Sequence, residues 1–137
     1  MANQLQVRLV TPERVLIDST ADAVELPARS GYLEALFGHA PLLAELGSGE
    51  VRIHGGRAGE HRFNVNWGFV EVLPERVTIL AESALKPEEI DTGRAQEQLE
   101  RGQKLWNEAG DDPRKYEDAN NVMEEAESKL ASAASRG

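Results

Sequence analysis

The chain has 137 residues and carries 24 Asp and Glu against 15 Lys and Arg, a formal net charge of −9, with no cysteine. That length suits one ordinary domain, or a small domain with an appendage. The charge leaves no basic footprint for phosphates and opposes tethering to anionic lipid, while the absence of cysteine excludes disulfides, thiolate metal sites and a cysteine nucleophile.

In chain order, Met1-Ala2-Asn3-Gln4 carries neither a signal nor a transit pattern, and no apolar run approaches the roughly 20 residues that span a bilayer. A soluble protein of a reducing cytoplasm is the expectation. Leu5-Gln6-Val7-Arg8-Leu9 alternates apolar and polar, the two-residue period of a half-buried strand. Thr11-Pro12-Glu13 then punctuates, because proline fixes φ and has no N–H for a ladder. Short apolar runs follow at 15–17, 23–26, 32–36, 42–46 and 51–54. Gly55-Gly56 reads as a turn, since glycine accepts positive φ without steric cost. Residues 61–67 alternate with Phe63, Val65 and Trp67 on one face, and Pro74-Glu75 separates strand-like runs at 69–73 and 76–81. Many short strands with regular turn signals predict an antiparallel sandwich or barrel.

The pattern changes near Lys86-Pro87. Residues 1–87 hold 11 acids and 8 bases, whereas residues 88–137 hold 13 acids and 7 bases, so two-thirds of the net charge lies on the shorter part. We therefore divide the chain into an N-terminal β-domain, 1–86, and a C-terminal α-helical hairpin, 87–137. Asp91 is the expected N-cap of a first helix, with Ala95, Leu99, Gly102, Trp106 and Ala109 forming one apolar stripe. Gly110 stops that helix, and Asp112-Pro113 restarts as cap and first-turn proline. Tyr116, Ala119, Met123, Ala126, Leu130 and Ala133 continue at heptad spacing, so the two helices should pack antiparallel. Their seam is thin, and Gly93 and Gly102 each lose about 1 kcal/mol against alanine by propensity.

Catalytic equipment is not found. The sequence holds no GxxxxGK[ST] loop, no GxSxG elbow and no HExxH helix, and His39, His54 and His61 lack metal-ligand spacing. His54 and His61 flank the glycine turn and are placed to face each other across it. A hydrogen-bonded loop histidine is the plain reading of His39 in Gly38-His39-Ala40-Pro41. Neither metal nor cofactor is expected. The residues alone leave open a free-standing β-sandwich that recognises a ligand or peptide, with a dimerising helical hairpin.

Ser30-Gly31-Tyr32-Leu33, Gly38-His39-Ala40-Pro41-Leu42-Leu43, Gly68-Phe69-Val70-Glu71-Val72, Val77-Thr78-Ile79-Leu80-Ala81 and Ile90-Asp91-Thr92-Gly93-Arg94-Ala95 together resemble the epsilon-subunit family of the F-type rotary ATP synthase, bacterial type. The likeness spans nearly the whole chain. It implies a β-sandwich of about ten antiparallel strands followed by a C-terminal antiparallel two-helix hairpin, and a non-catalytic subunit of the central stalk. The implied partners are the gamma subunit and the c-ring, with the beta subunit as a further contact of the hairpin. The implied place is the cytoplasmic face of the bacterial plasma membrane, held there through the complex. By resemblance, Phe37, Gly38, His39 and Ala40 belong to the gamma contact. Two readings of Phe37, where the family usually has proline, stand open: an anchor against gamma, or better packing of its own loop.

The resemblance also implies a regulatory ATP site at Ile90, Asp91, Arg94 and Ala95, with Arg101 as a further basic contact. The plainer reading of this segment is a helix start capped by Asp91. Here the second helix places Glu125 at an arginine position and keeps positive charge only at Lys129. Residues 117–127 carry Glu117, Asp118, Glu124, Glu125 and Glu127 and no base, so like-charge repulsion predicts weak or no ATP binding and no docking on an acidic segment of the beta subunit.

Overall fold

The computed structural model describes residues 3–135. Strand β1 (Leu5–Val10) buries every second side chain, Leu5, Val7 and Leu9, as its alternation requires. Around Pro12 the Thr11 hydroxyl accepts the N–H groups of Glu13 and Arg14, and the chain returns antiparallel as β2 (Val15–Ala21). β3 (Ala23–Ala28) and β4 (Gly31–Leu36) form a hairpin, and β5 (Leu42–His54) and β6 (His61–Leu73) form a longer one. β7 (Arg76–Leu85) pairs antiparallel with β6 and parallel with β1. The order is β2-β1-β7-β6-β5-β3-β4.

The expectation of about ten antiparallel strands is corrected to seven among the described residues, because short runs join, and β1 pairs with β7 in parallel. The runs at 42–46 and 51–54 are one strand of 13 residues, continued through Gly47-Ser48-Gly49, and those at 61–67 and 69–73 are another of 13. Residues 42–46, 68–73 and 76–81 pair among themselves and, through β7, with β1 and β2. Residues 48–54, 61–66 and 83–85 pair among themselves and, through β5, with β3 and β4. Three strands thus serve both layers of the sandwich, around one core that includes Leu9, Leu26, Val51, Phe63, Val70 and Ile79. β6 changes layer at Trp67 and Gly68, whose φ angles are 57° and 125°.

That crossing also corrects the expected face of 61–67. Phe63 and Val65 are buried, but so are Asn64 and Asn66, and Trp67 is out of phase with its left-handed backbone. The buried amides are satisfied within the sheet: Asn66 Nδ2 donates to Asn64 Oδ1 (3.0 Å), Asn64 Nδ2 to the Gly49 carbonyl (3.4 Å), and the Ser48 hydroxyl to Asn66 Oδ1. Burial without those partners would carry a desolvation penalty of about 1–3 kcal/mol per group.

The chain divides into two units, Met1–Lys86 and Pro87–Gly137. In the second, a single 3₁₀ turn (Pro87–Glu89) precedes α1 (Thr92–Asn107) and α2 (Pro113–Ala134). Asp91 and Asp112 cap the two helices, accepting the N–H of Arg94 (3.1 Å) and of Arg114 (2.9 Å). Ala95 and Gly102 of α1 and Ala119, Ala126 and Ala133 of α2 are buried. Near the connection Trp106 and Tyr116 pack edge-to-face at 4.7 Å between ring centroids. Gly102 is more than a propensity loss. A Cβ there would come within 2.6 Å of Met123 Cγ and 3.2 Å of the Met123 backbone nitrogen, so the missing methyl is what lets the helices approach.

Candidate functional site

Cross-strand register decides what each layer shows to solvent. In the layer of β2, β1 and the β7, β6 and β5 segments, Val15 stands opposite Val10, Val10 opposite Leu80, and Leu80 opposite Phe69. Phe69 pairs with Glu45, which puts Leu43 on its diagonal on the same face. Val15, Leu80, Phe69 and Leu43 are 53%, 51%, 55% and 73% exposed. A line of large apolar side chains therefore crosses the outer face of this layer. Single exposed apolar residues need no explanation, but a contiguous line marks an interaction surface.

The loop after β4 stands at the end of the same layer. The Gly38 N–H donates to the Pro74 carbonyl (2.7 Å), tying the loop to the β6–β7 turn, and the His39 N–H donates to Leu36 O (3.0 Å). His39 Nδ1 lies 2.6 Å from the Ala40 carbonyl, which fixes the ring as the donor from that nitrogen. Of the loop residues the resemblance singles out, Phe37, Gly38 and Ala40 are exposed and His39 half-buried. Phe37, Leu36 and Leu42, at the two ends of this loop, are also exposed apolar residues.

The other layer shows charge. Glu50, 7% exposed, binds Arg62 through both carboxylate oxygens (Nη2 2.7 Å, Nε 3.2 Å) and Arg52 Nε at 3.1 Å. Arg52 and Arg62 are direct cross-strand partners, so Glu50 cancels a repulsion that would otherwise weaken the pairing. Arg52 also stands over the Tyr32 ring at 6.0 Å, beside a cleft of about 480 Å³ lined by Glu25, Tyr32, Leu33, Glu34 and Arg52. His54 and His61 do not bond each other: His54 reaches Glu25 and Glu60, while His61 Nε2 donates to the Ala58 carbonyl (2.6 Å) and its ring stacks on Phe63. Hydrogen bonds to Glu60 and then to Glu25 raise the His54 pKa above the ordinary value of 6.5, and the same contact lowers that of Glu60.

In the hairpin, Ile90 and the N-cap Asp91 precede α1, and Arg94, Ala95 and Arg101 lie along its first three turns. Ile90 and Ala95 are buried, and Arg94 is almost wholly exposed, with Nε 3.7 Å from the capping Asp91 carboxylate. Arg101 is exposed. Glu125 lies between the helices, accepting from Gln98 Nε2 on α1 (3.2 Å) and pairing with Lys129 Nζ at 3.0 Å. Lys129, the base kept on α2, is thus already neutralised. Among the described residues no helix is long and apolar enough to cross a membrane.

A two-layer β-sandwich with an apolar outer stripe, followed by a helical hairpin, is the build of a docking protein. Residues 4–87 match the family model described as "ATP synthase, Delta/Epsilon chain, beta-sandwich domain". The ATP synthase epsilon chain of Koribacter versatilis is 42% identical over 111 residues, 80% of this chain and 77% of that one. That of Solibacter usitatus is 43% identical over 104 residues, covering 76% of this chain and 77% of its own. Among solved structures, a chain of the Euglena gracilis mitochondrial ATP synthase, in a structure of OSCP, F1 and the c-ring, shares the fold with a TM-score of 0.78 at 19% identity, over 99% of this chain and 84% of that one. The chain belongs to the ATP synthase delta/epsilon family.

Proposed function

We propose that this chain is the non-catalytic epsilon-type subunit of the ATP synthase central stalk, binding the gamma subunit and the c-ring and so coupling proton translocation to ATP synthesis. It works as a peripheral protein at the cytoplasmic face of a bacterial membrane, held there by the complex. The observation that carries this is the apolar stripe Val15, Leu80, Phe69 and Leu43 on a sandwich of this family, with the loop at Phe37–Ala40 tied to the β6–β7 turn of the same layer. No catalytic step is assigned to it. Co-expression with a gamma subunit should give a one-to-one complex that survives gel filtration. Two well-folded partners that elute apart would overturn the reading and favour a free-standing recognition module.

The hairpin's regulatory role is read as lost. Asp91 is engaged as a helix cap, Glu125 brings a carboxylate to the place where a triphosphate would need a cation, and Lys129 is paired with that carboxylate. Residues 117–127 present only acids, which opposes insertion against an acidic partner. Calorimetric titration of the isolated chain with ATP should show no binding at millimolar concentration, and Glu125→Arg should strengthen any residual affinity. In the reconstituted enzyme, deleting everything beyond Pro87 should leave ATP hydrolysis unchanged within about twofold, well inside the fivefold or more of a coupled regulatory element. Tight ATP binding, or a several-fold rise in hydrolysis on deletion, overturns this part and leaves the stalk assignment standing.

A further inference from the structure

Both ring nitrogens of His54 face carboxylates. Nε2 lies 3.1 Å from Glu25 Oε2 on β3, and Nδ1 lies 2.7 Å from Glu60 Oε1 in the β5–β6 turn. A neutral imidazole has one N–H and one lone pair, so only the doubly protonated ring donates to two ionised carboxylates. Glu60 is engaged a second time: its Oε2 accepts the Gly55 N–H at 2.8 Å, so one carboxylate spans the turn from its last residue to its first. The turn is in addition fastened to β2, with Ala58 N donating to the Thr20 carbonyl (2.9 Å) and Arg57 N to the Thr20 hydroxyl (3.2 Å).

We propose that His54 is a proton-operated latch: protonated, it clasps the β5–β6 turn (residues 55–60) to β3, and on deprotonation it releases Glu60 and loosens the turn from β2. The inference stands apart from the stalk assignment and holds whatever partner this sandwich binds. The charged groups around the ring come from each neighbouring element. From β3, Glu25 faces the ring and is itself 3.9 Å from Arg52 Nη1 of β5. Asp22, between β2 and β3, packs its carboxylate beside Gly55 and accepts from Gln4 Nε2 at 3.1 Å. The turn contributes Arg57 and Glu60, and β6 contributes His61, whose charge also acts on Glu60.

Which carboxylate lets go follows from exposure. The Glu25 side chain is 30% exposed and shared with Arg52, whereas that of Glu60 is 71% exposed, so water resolvates Glu60 at less cost. The sign is that of a histidine with a raised pKa. The clasp contributes fully below 6.5, the ordinary value, and is lost as pH rises through the higher folded-state value.

The test is nuclear magnetic resonance of the full chain from about pH 5.5 to about pH 9. The His54 ring should titrate above 6.5, and the Gly55 and Ala58 amides, corrected for intrinsic exchange, should lose protection by about threefold or more across that transition. In Glu60→Gln, an exposed change that leaves the fold alone, this pH dependence should disappear, and likewise in His54→Gln. A His54 ring that titrates at or below 6.5 overturns the proposal. So does a turn whose protection has the same pH profile in Glu60→Gln as in the unmodified chain.

Discussion

Exchanging Phe69 for aspartate is expected to weaken the complex with the gamma subunit by about 100-fold or more, the size of a central hot-spot loss. Phe69 is 55% exposed and sits mid-stripe, opposite Leu80 and diagonal to Leu43. A partner covering the stripe must desolvate this position. A carboxylate there would be buried without a base within the stripe, and an unpaired buried charge loses far more than the missing ring. The fold should hardly notice, because the ring points away from the core, and β-propensity limits the loss of stability to about 1 kcal/mol. Glu71→Gln serves as the control: it lies two residues along the same strand face, at the polar margin of the stripe, and should change affinity by less than about threefold. The dissociation constants of the three chains for gamma, measured beside their urea midpoints, decide the matter. If Phe69→Asp binds like the unmodified chain, gamma does not sit on this face.

Phe69 and Leu80 are legible as strand residues, and as surface only through their phase. In Phe69-Val70-Glu71-Val72 the buried phase is Val70 and Val72, which leaves Phe69 in step with Glu71. Leu80 is likewise in step with Thr78, while Val77, Ile79 and Ala81 point inward. A large apolar residue on the polar phase is a signal that one sequence does contain. That the two stand opposite each other, with Leu43 beside them, is a matter of register between strands, which local patterning cannot supply. The same limit explains the strand count. Gly47-Ser48-Gly49 has turn composition, yet long β5 runs through it because its partners on β6 keep the ladder going on both sides. The helices were easier, since caps are local: Asp91, Asp112 and Pro113 act where their spacing put them. For His54 only half of the arrangement is local: Glu60 lies six residues away across the glycine turn, but Glu25 lies 29 residues away and only the β3–β5 pairing brings it near.

The charge follows the same division. Two-thirds of the net −9 belongs to the hairpin, while the sandwich sets an apolar stripe on one layer against the ion-paired Glu25, Glu50, Arg52 and Arg62 on the other. Regulation by anion binding would need positive charge on the hairpin, and assembly through the sandwich needs none. The acidity therefore bears on regulation and leaves docking untouched.

Gly68→Ala is expected to destabilise the sandwich by about 4 kcal/mol or more, a size reserved for a small set of mechanisms. Two of them act together. The residue has φ of 125°, a region that L side chains rarely adopt, and a Cβ built there collides with the carbonyl oxygen of Leu80 and lies 3.1 Å from the Cα of Ala81. The obstacle is backbone of the paired strand, which cannot rotate aside as a side chain can. Relief requires β6 and β7 to part where both change layer, next to the left-handed Trp67. Gly31→Ala separates the two causes. Gly31 has a similar φ of 131° but nothing within 4 Å of its Cβ position, so it should lose only the conformational term, about 1–2 kcal/mol. Urea unfolding of both variants reads the difference directly. Equal losses would mean that the crossing yields without strain; a Gly68→Ala loss at least about 2 kcal/mol larger identifies close backbone approach as the reason glycine stands there. Because Gly68 precedes Phe69, whatever parts the strands at this point also displaces the centre of the apolar stripe, so the same variant should retain gamma binding at most in proportion to the fraction of chain that remains folded.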